Sequence, residues 1–380
     1  MKRLFLLLPI ILLLLLSLVA TAPDQVFAEE IQESWEQIQF SYHLGYAAEG
    51  KVFAQFSLGK AYEQGSVVER DYGLARHWYA KAGEQGHVES QYNLGRLYET
   101  GAGASPDYEL ARHWYMKAAE QGNLEAQYSL GRMYGSGTGV VQDYIQARHW
   151  YTTAGDQGHG QSQYSLGRMY ESGAGVKLDY GQAIDWYTKA AEQGHTESLY
   201  SLGRIGESRA DDSDEYSKAV QWYLKAAVQG HAEAQYSLGR MYEVGTGVSQ
   251  DYAQALRWFT KAGEKGHAES QCRVGRIYQE GLGIGQDYKQ AIHWYTKAAE
   301  QGNATGQHNL GYLYARGFGF EKDLVSAYAW WTIAALKQDQ KAIANKTLAD
   351  NILTPQKISE AKELSRRLYA EIYGEDYNSL

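Results

Sequence analysis

Cysteine is all but missing. Cys272 stands alone in 380 residues, so no disulfide can close within the chain and its stability must come from packing. Proline is nearly as scarce, at Pro9, Pro23, Pro106 and Pro355, and no Ser-rich or charge-run linker breaks the sequence. The length suggests two or three domains, yet nothing marks a joint, and the chain reads as one continuous body. No basic excess is present: 36 Lys and Arg face 45 Asp and Glu, a formal charge of −9. Without a basic stripe, nucleic acid is not an expected partner. After Leu18 no stretch is apolar enough to span a bilayer. Catalytic signatures are lacking too, with no Gly-x-Ser-x-Gly elbow, no His-Glu-x-x-His and no Cys–His pair. Neither an enzyme nor a small-molecule cofactor is expected.

Lys2-Arg3 precede an apolar run from Leu4 to Leu18, and Val26-Phe27-Ala28 offers a small-x-small cut before Glu29. This is the pattern of a secretory signal over residues 1–28. It predicts an exported protein, periplasmic or secreted. An uncleaved N-terminal membrane anchor is the alternative, because the run is long for a signal. A cut after Ala22 would leave Pro23 first and is disfavoured. No cysteine lies near either cut, which excludes a lipoprotein anchor.

Repetition is what the chain has in plenty. Glycine recurs at Gly59, Gly95, Gly131, Gly167, Gly203, Gly239, Gly275 and Gly311, a stride of 36 each time. Tryptophan keeps the stride at Trp78, Trp114, Trp150, Trp186, Trp222, Trp258, Trp294 and Trp330, eight of the 10 in the chain. A fixed period of this length marks a solenoid of stacked helical pairs. The repeats fall at 52–87, 88–123, 124–159, 160–195, 196–231, 232–267, 268–303 and 304–339. An N-terminal capping helix or half-repeat at 29–51 precedes them. C-terminal capping helices and a short tail at 340–380 follow.

Repeat 88–123 shows how the residues build the pair. Ser90, Leu94, Gly95 and Tyr98 share one face of a first helix, A. Gly101-Ala102-Gly103 breaks it, and Asp107 stands at or beside the N-cap of a second helix, B, where a carboxylate satisfies orphan amides. Ala111, Trp114, Tyr115 and Ala118 share a face of helix B, and Gly122 ends it as the C′ residue. An acid holds this start in every repeat: Asp71, Asp107, Asp143, Asp179, Glu215, Asp251, Asp287 and Asp323. The helix-A glycine looks wasteful, since each costs about 1 kcal/mol against alanine. It makes sense if the missing Cβ lets helix B come close, with the helix-B Trp covering the gap and small residues such as Ala75 and Ala111 packing beside it.

These residues resemble the Sel-one-like repeat (SLR), a relative of the tetratricopeptide repeat. Repeat 124–159 carries the pattern at Ala126, Leu130-Gly131, Tyr134, Gly137-Thr138-Gly139-Val140, Asp143-Tyr144, Ala147, Trp150-Tyr151 and Gly158. The resemblance implies an all-α fold, a right-handed superhelix of antiparallel helix pairs that scaffolds protein assembly. It also implies that exported bacterial members act at the cell envelope or on host cells. Cysteine-rich exported relatives linked to penicillin binding have a disulfide pattern absent here, so that activity is not carried over.

The fifth repeat departs most, with Gly206 for the helix-A Tyr and an acidic loop at 211–215. A calcium loop is one reading and a solvated acidic loop the favoured one. Residues 31–50 read as one helix carrying Trp35, Ile38 and Phe40, with Leu44-Gly45 as a half-repeat. Gln338 replaces the closing glycine of the last repeat. Thr354-Pro355 reads as N-cap and N1 of a final helix with Ile358, Ala361, Leu364 and Leu368 as its buried stripe. Leu353-Thr354-Pro355 resembles the way many bacterial members close their stack.

Histidines fall in two registers, His87, His159, His195, His231 and His267, and His77, His113, His149 and His293. Equivalent positions in stacked repeats lie about 10 Å apart, too far for one zinc ion. The first set is helix-boundary chemistry and the second an exposed or half-buried flank of helix B. The Gly-x-Gly-Val loops join helix to helix and lack the strand and Lys-Ser/Thr of a phosphate loop.

The remaining face of helix A is the candidate interface. In the superhelix implied by the resemblance it lines the concave channel. Its tyrosines and arginines are Tyr92 and Arg96, Tyr128 and Arg132, Tyr164 and Arg168, Tyr200 and Arg204, Tyr236 and Arg240, then Arg276, with Lys60 at one end and Tyr312 at the other. Tyr and Arg dominate interface energetics, and a repeated guanidinium fork suits carboxylates or main-chain carbonyls of an extended segment. The competing reading pairs Arg96 with Glu99 along a wetted helix. The expected function is a scaffold binding a protein or peptide. A cell-wall-ligand-binding or hydrolytic envelope protein is the alternative.

Overall fold

The computed structural model describes residues 25–374, with side chains from Glu36 onward. Most of the expected signal segment and the side chain of Trp35 therefore lie outside the described residues. Among the described residues there are 19 helices and no strand, and the fold is an all-α solenoid. The chain forms two compact units, Met1–Lys189 and Ala190–Leu380. Their boundary falls inside helix Tyr180–Glu192 rather than in a linker.

Each repeat is a helix pair joined by a short loop, as in Val88–Thr100 with Tyr108–Glu120 and Leu124–Ser136 with Tyr144–Asp156. Helix B starts on a capping aspartate: the Asp107 carboxylate accepts from the Leu110 N–H at 2.9 Å, and Asp71 does the same for Leu74. The fifth repeat corrects the expected register. Asp212, not Glu215, caps helix Ser213–Val228, accepting from the N–H groups of Asp214 and Glu215, while Glu215 reaches back to the N–H of Asp211. A cap three residues early lengthens helix B there, and the acidic loop is spent on satisfying its first turn.

The glycine of helix A is in place for close approach, but the partner is not the Trp. A Cβ at Gly131 would lie 2.5 Å from Tyr151 Cδ1, and one at Gly95 would lie 2.7 Å from Tyr115 Cδ1. The residue after the Trp thus fills the gap within its own repeat, beside alanines such as Ala111 and Ala147 at 0 % exposure. The Trp faces the other way. Trp114 comes within 3.2 Å of a Cβ position on Gly83, in helix B of the repeat before. The core therefore lies between repeats: Tyr79 of the first joins Leu94, Leu97 and Trp114 of the second. A lone repeat would lack half of it, so burial worth about 1.5–3 kcal/mol per large side chain is gained only by stacking.

A buried glutamine ladder runs through the same seam. Gln91 donates to the Gly83 carbonyl at 2.8 Å, and Gln121 donates to Gln91 Oε1 at 2.7 Å. Where lysine replaces the donor, at Lys265 and Lys337, the Nζ turns to the carbonyls of Gly230 and Gly302. Gln235 Oε1 and Gln307 Oε1 are then left buried without a partner.

The ends close the stack. Helix Gln25–Ala48 starts earlier and stops sooner than the 31–50 expected. Phe40 meets Tyr62 edge-on, but Ala47 is the buried residue while Ile38 and Leu44 are exposed. At the other end, Thr354 accepts from the Lys357 N–H and Pro355 opens helix Pro355–Tyr373. Ala361, Ser365 and Tyr369 are its buried stripe, with Ile358, Leu364 and Leu368 half-buried. No helix among the described residues is long and apolar enough to cross a membrane.

Candidate functional site

The tyrosines of the helix-A row are packed against aromatic neighbours. Tyr92 sits 5.8 Å from Tyr115, Tyr164 5.7 Å from Tyr187 and Tyr236 5.8 Å from Phe259, ring to ring. Three of the tyrosines, Tyr128, Tyr200 and Tyr236, also lie 4.5–5.3 Å from the histidine that opens the next helix A. Burial first, then nearby glutamate, raises Tyr92 and Tyr200 above the usual phenol range. Each of these tyrosines remains half-buried.

The opening histidines are N-caps. His87 Nδ1 accepts from the Ser90 N–H at 3.2 Å, His159 from Ser162 and His231 from Ala234, so the ring must carry its proton on Nε2. Asn123 and Asn303 take the same place in other repeats. The second histidine set is exposed and edge-on to tryptophan, as His113 is to Trp114 at 5.3 Å. Among the described residues, no three His, Cys, Asp or Glu are placed to hold a metal.

The arginines do not pair along their own helix. Arg96 reaches back 33 residues to Glu63, on helix A of the preceding repeat, and Arg132 likewise to Glu99. Arg240 meets Glu207 at 2.5 Å, and Arg276 meets Glu243. The other oxygen of the carboxylate accepts from a helix-B tyrosine: Tyr79 Oη donates to Glu63 at 2.8 Å, Tyr115 to Glu99 at 2.7 Å and Tyr223 to Glu207 at 2.8 Å. One glutamate thus ties helix A, its helix B and the next helix A. At Glu243 the helix-B residue is Phe259 and Arg273 supplies the second donor, at 3.2 Å. Arg204 is exposed, and its charge bears on Tyr200. The sequence held this signal, because glutamate recurs at Glu63, Glu99, Glu171, Glu207 and Glu243 on the same stride. The partner lies in the preceding repeat, so spacings within a single repeat do not reveal it.

Arg168 differs. Thirty-three places before it stands Gly135, and no acid among the described residues pairs with its guanidinium, which is exposed.

In the second unit an open pocket of about 670 Å³ is lined by Cys272, Arg273, Arg276, Gln279, His308 and Asp339 among others. Arg276 Nε and Gln279 Oε1 are buried there without partners. Gln279 has replaced the glutamate and Tyr312 the next arginine, so the tie is broken on both sides.

The model of the Sel1 repeat matches residues 52–87, 88–123, 124–159, 160–195, 197–231, 232–267, 268–303 and 304–339. The chain is a Sel1-repeat protein. It is 32 % identical to a protective antigen present in uropathogenic Escherichia coli strains that displays an SLR fold. That likeness covers 90 % of this chain and 81 % of the antigen, with a TM-score of 0.58. A Sel1 repeat protein from Oxalobacter formigenes is 32 % identical too, covering 80 % of this chain and 87 % of its own, with a TM-score of 0.62. The search of curated proteins gives no significant match. Sel1-repeat solenoids are generally non-enzymatic scaffolds, and the repeats generally mediate protein–protein interaction.

Proposed function

We propose that this Sel1-repeat protein is an exported, non-catalytic scaffold that grips a protein or peptide along helix A. The observation that carries the reading is the row of half-buried tyrosines and Arg forks at a fixed stride. Within each unit such a row offers an extended segment repeated aromatic and hydrogen-bonding contacts. Most of its arginines already hold a glutamate, so a partner meets a pre-ordered surface and loses little side-chain entropy on binding. The export address is supported by the Lys2-Arg3 and Leu4–Leu18 pattern before Ala28. A relative described as a protective antigen is in keeping with an address outside the cytoplasm.

The test is capture of partners by the full chain, then by a triple variant with Arg132, Arg168 and Arg204 replaced by Ala. A control removes the exposed helix-B histidines His77, His113 and His149 instead. Both variants are first checked for retained helicity. Loss of partner with the first and not the second is the expected result. The reverse would move the interface to the flank of helix B. Export is read by N-terminal sequencing of the protein from fractionated cells, which also separates a cut before Glu29 from an uncleaved anchor.

A further inference from the structure

In the first, second and fifth repeats a glutamate fills the space between a helix-B Tyr and the Arg of the next helix A. The third repeat keeps that space and omits its occupant. Its helix A, Leu124–Ser136, ends on Gly137 with φ of 74°, as Val88–Thr100 ends on Gly101 with φ of 66°. Gln142 donates to the Gly135 carbonyl at 2.9 Å, as Gln250 does to the Glu243 carbonyl at 2.9 Å. The backbone is thus the ordinary one, and only the side chain is absent.

Packing does not demand that absence. A Cβ at Gly135 would sit 3.6 Å from Ala147 Cβ and 3.8 Å from Tyr151 Oη, ordinary contact distances, and its φ is not in the left-handed region. Tyr151 registers the gap: it is 8 % exposed, where Tyr79 and Tyr187 are 0 % and Tyr115 and Tyr223 are 1 %. The phenol of Tyr151 is pushed up to about 12, by burial and then by Tyr128, and no carboxylate contributes. Arg168 lies close enough for its charge to oppose that rise. One neutral O–H donor and one exposed guanidinium therefore stand at the register positions that, one repeat earlier, hold the Glu99 carboxylate between them.

We propose that Gly135, Tyr151 and Arg168 form a docking notch for a single glutamate side chain on the partner protein, supplied in trans where the first, second and fifth repeats supply it in cis. The inference rests on the scaffold reading, and it places one anchor of the partner at this repeat.

The test uses the full chain and two probe peptides, Gly-Ser-Glu-Ser-Gly and the same sequence with Gln for Glu, both blocked at their ends. The readouts are the NMR resonances of Arg168 Nε–Hε and of the Tyr151 ring. The Glu peptide should shift both saturably, at concentrations on the order of millimolar, and the Gln peptide at least about tenfold more weakly, because only the carboxylate forms a charge-assisted pair. Gly135→Glu should abolish the response by filling the notch from within. Gly135→Ala, which leaves the notch open, should keep it, and so guards against a folding artefact. Equal shifts from the two peptides, or an undiminished response in Gly135→Glu, would overturn the proposal. The two readings fail separately. If no protein is captured but the peptide response holds, the scaffold reading falls alone. If a captured partner binds Gly135→Glu as tightly as the parent and no peptide shift appears, only the notch falls.

Discussion

Two glycines four residues apart on one helix make opposite predictions when each is changed to alanine. At Gly131 the new Cβ would lie 2.5 Å from Tyr151 Cδ1 and 2.6 Å from Cε1. Carbon atoms rest at about 3.5–4.0 Å, so the ring would have to withdraw by roughly 1 Å. The ring body is hemmed in by Leu166, Met169 and Trp186, and only its hydroxyl end borders the Gly135 gap, so moving it disturbs close packing. Overpacking of this kind costs about 1–3 kcal/mol, and better helix propensity returns about 1 kcal/mol. Gly131→Ala is therefore expected to lose up to about 2 kcal/mol, and Gly131→Leu more. At Gly135 the same methyl group meets nothing closer than 3.6 Å, so the propensity gain of about 0.5–1 kcal/mol should appear nearly whole. The two variants should differ by about 2 kcal/mol, a factor of about 30 in the folded-to-unfolded ratio. Urea unfolding followed by circular dichroism gives the sign. Amide hydrogen exchange in residues 124–195 gives the local effect, which matters because solenoids need not unfold in one step. If Gly131→Ala stabilised as much as Gly135→Ala, the close approach of helix B to Gly131 would not be what keeps the glycine there.

The Glu99 tie can be tested by Glu99→Ala, which leaves the Tyr115 hydroxyl and the Arg132 guanidinium without their shared acceptor. A loss of about 1–2 kcal/mol is expected, discounted because Arg132 is 45 % exposed, and a cycle with Arg132→Ala should show coupling. Gln338 holds a φ of 61°, the one non-glycine in that region among the described residues, so Gln338→Gly should raise the thermal midpoint by relieving about 1 kcal/mol of strain. Burial lowers the pKa of the His195 and His231 caps below the usual imidazole value of 6.5. The unfolded chain then binds more protons just below pH 6.5, so the cap contribution is complete above that pH and declines as pH falls through the window beneath it. Replacing both by Asn, the cap already used at Asn123 and Asn303, should flatten the fall in urea midpoint between about pH 7 and pH 5, a range set by the histidine reference value; an unchanged slope would refute the cap assignment. Burial pushes the Cys272 thiol up to about 12, so a thiol reagent at mild alkaline pH should label it only after denaturant is added.

The chain's own order of residues determined the helix pairs, their loops, most caps and the alanine stripe. Each of these depends on neighbours within about one turn, and such spacings are visible along a single strand of text. Thr354-Pro355 opening the last helix and the aspartates opening helix B belong to this class. What only the tertiary structure decided is which group answers which across the seam. The glycine gap is filled by Tyr151 rather than Trp150, because the Trp side chain turns toward the preceding repeat while the next residue points into its own. Arg96 finds Glu63, 33 residues back, rather than Glu99 on its own helix, and the same rule makes Gly135 and Arg168 a mismatched pair. Asp212 displaced Glu215 as a cap because helix B of that repeat winds one turn further back than its register implied. A period fixes how far apart equivalent residues are along the chain. The direction of each side chain from its helix, and so its partner in the next layer, is set only when the layers pack.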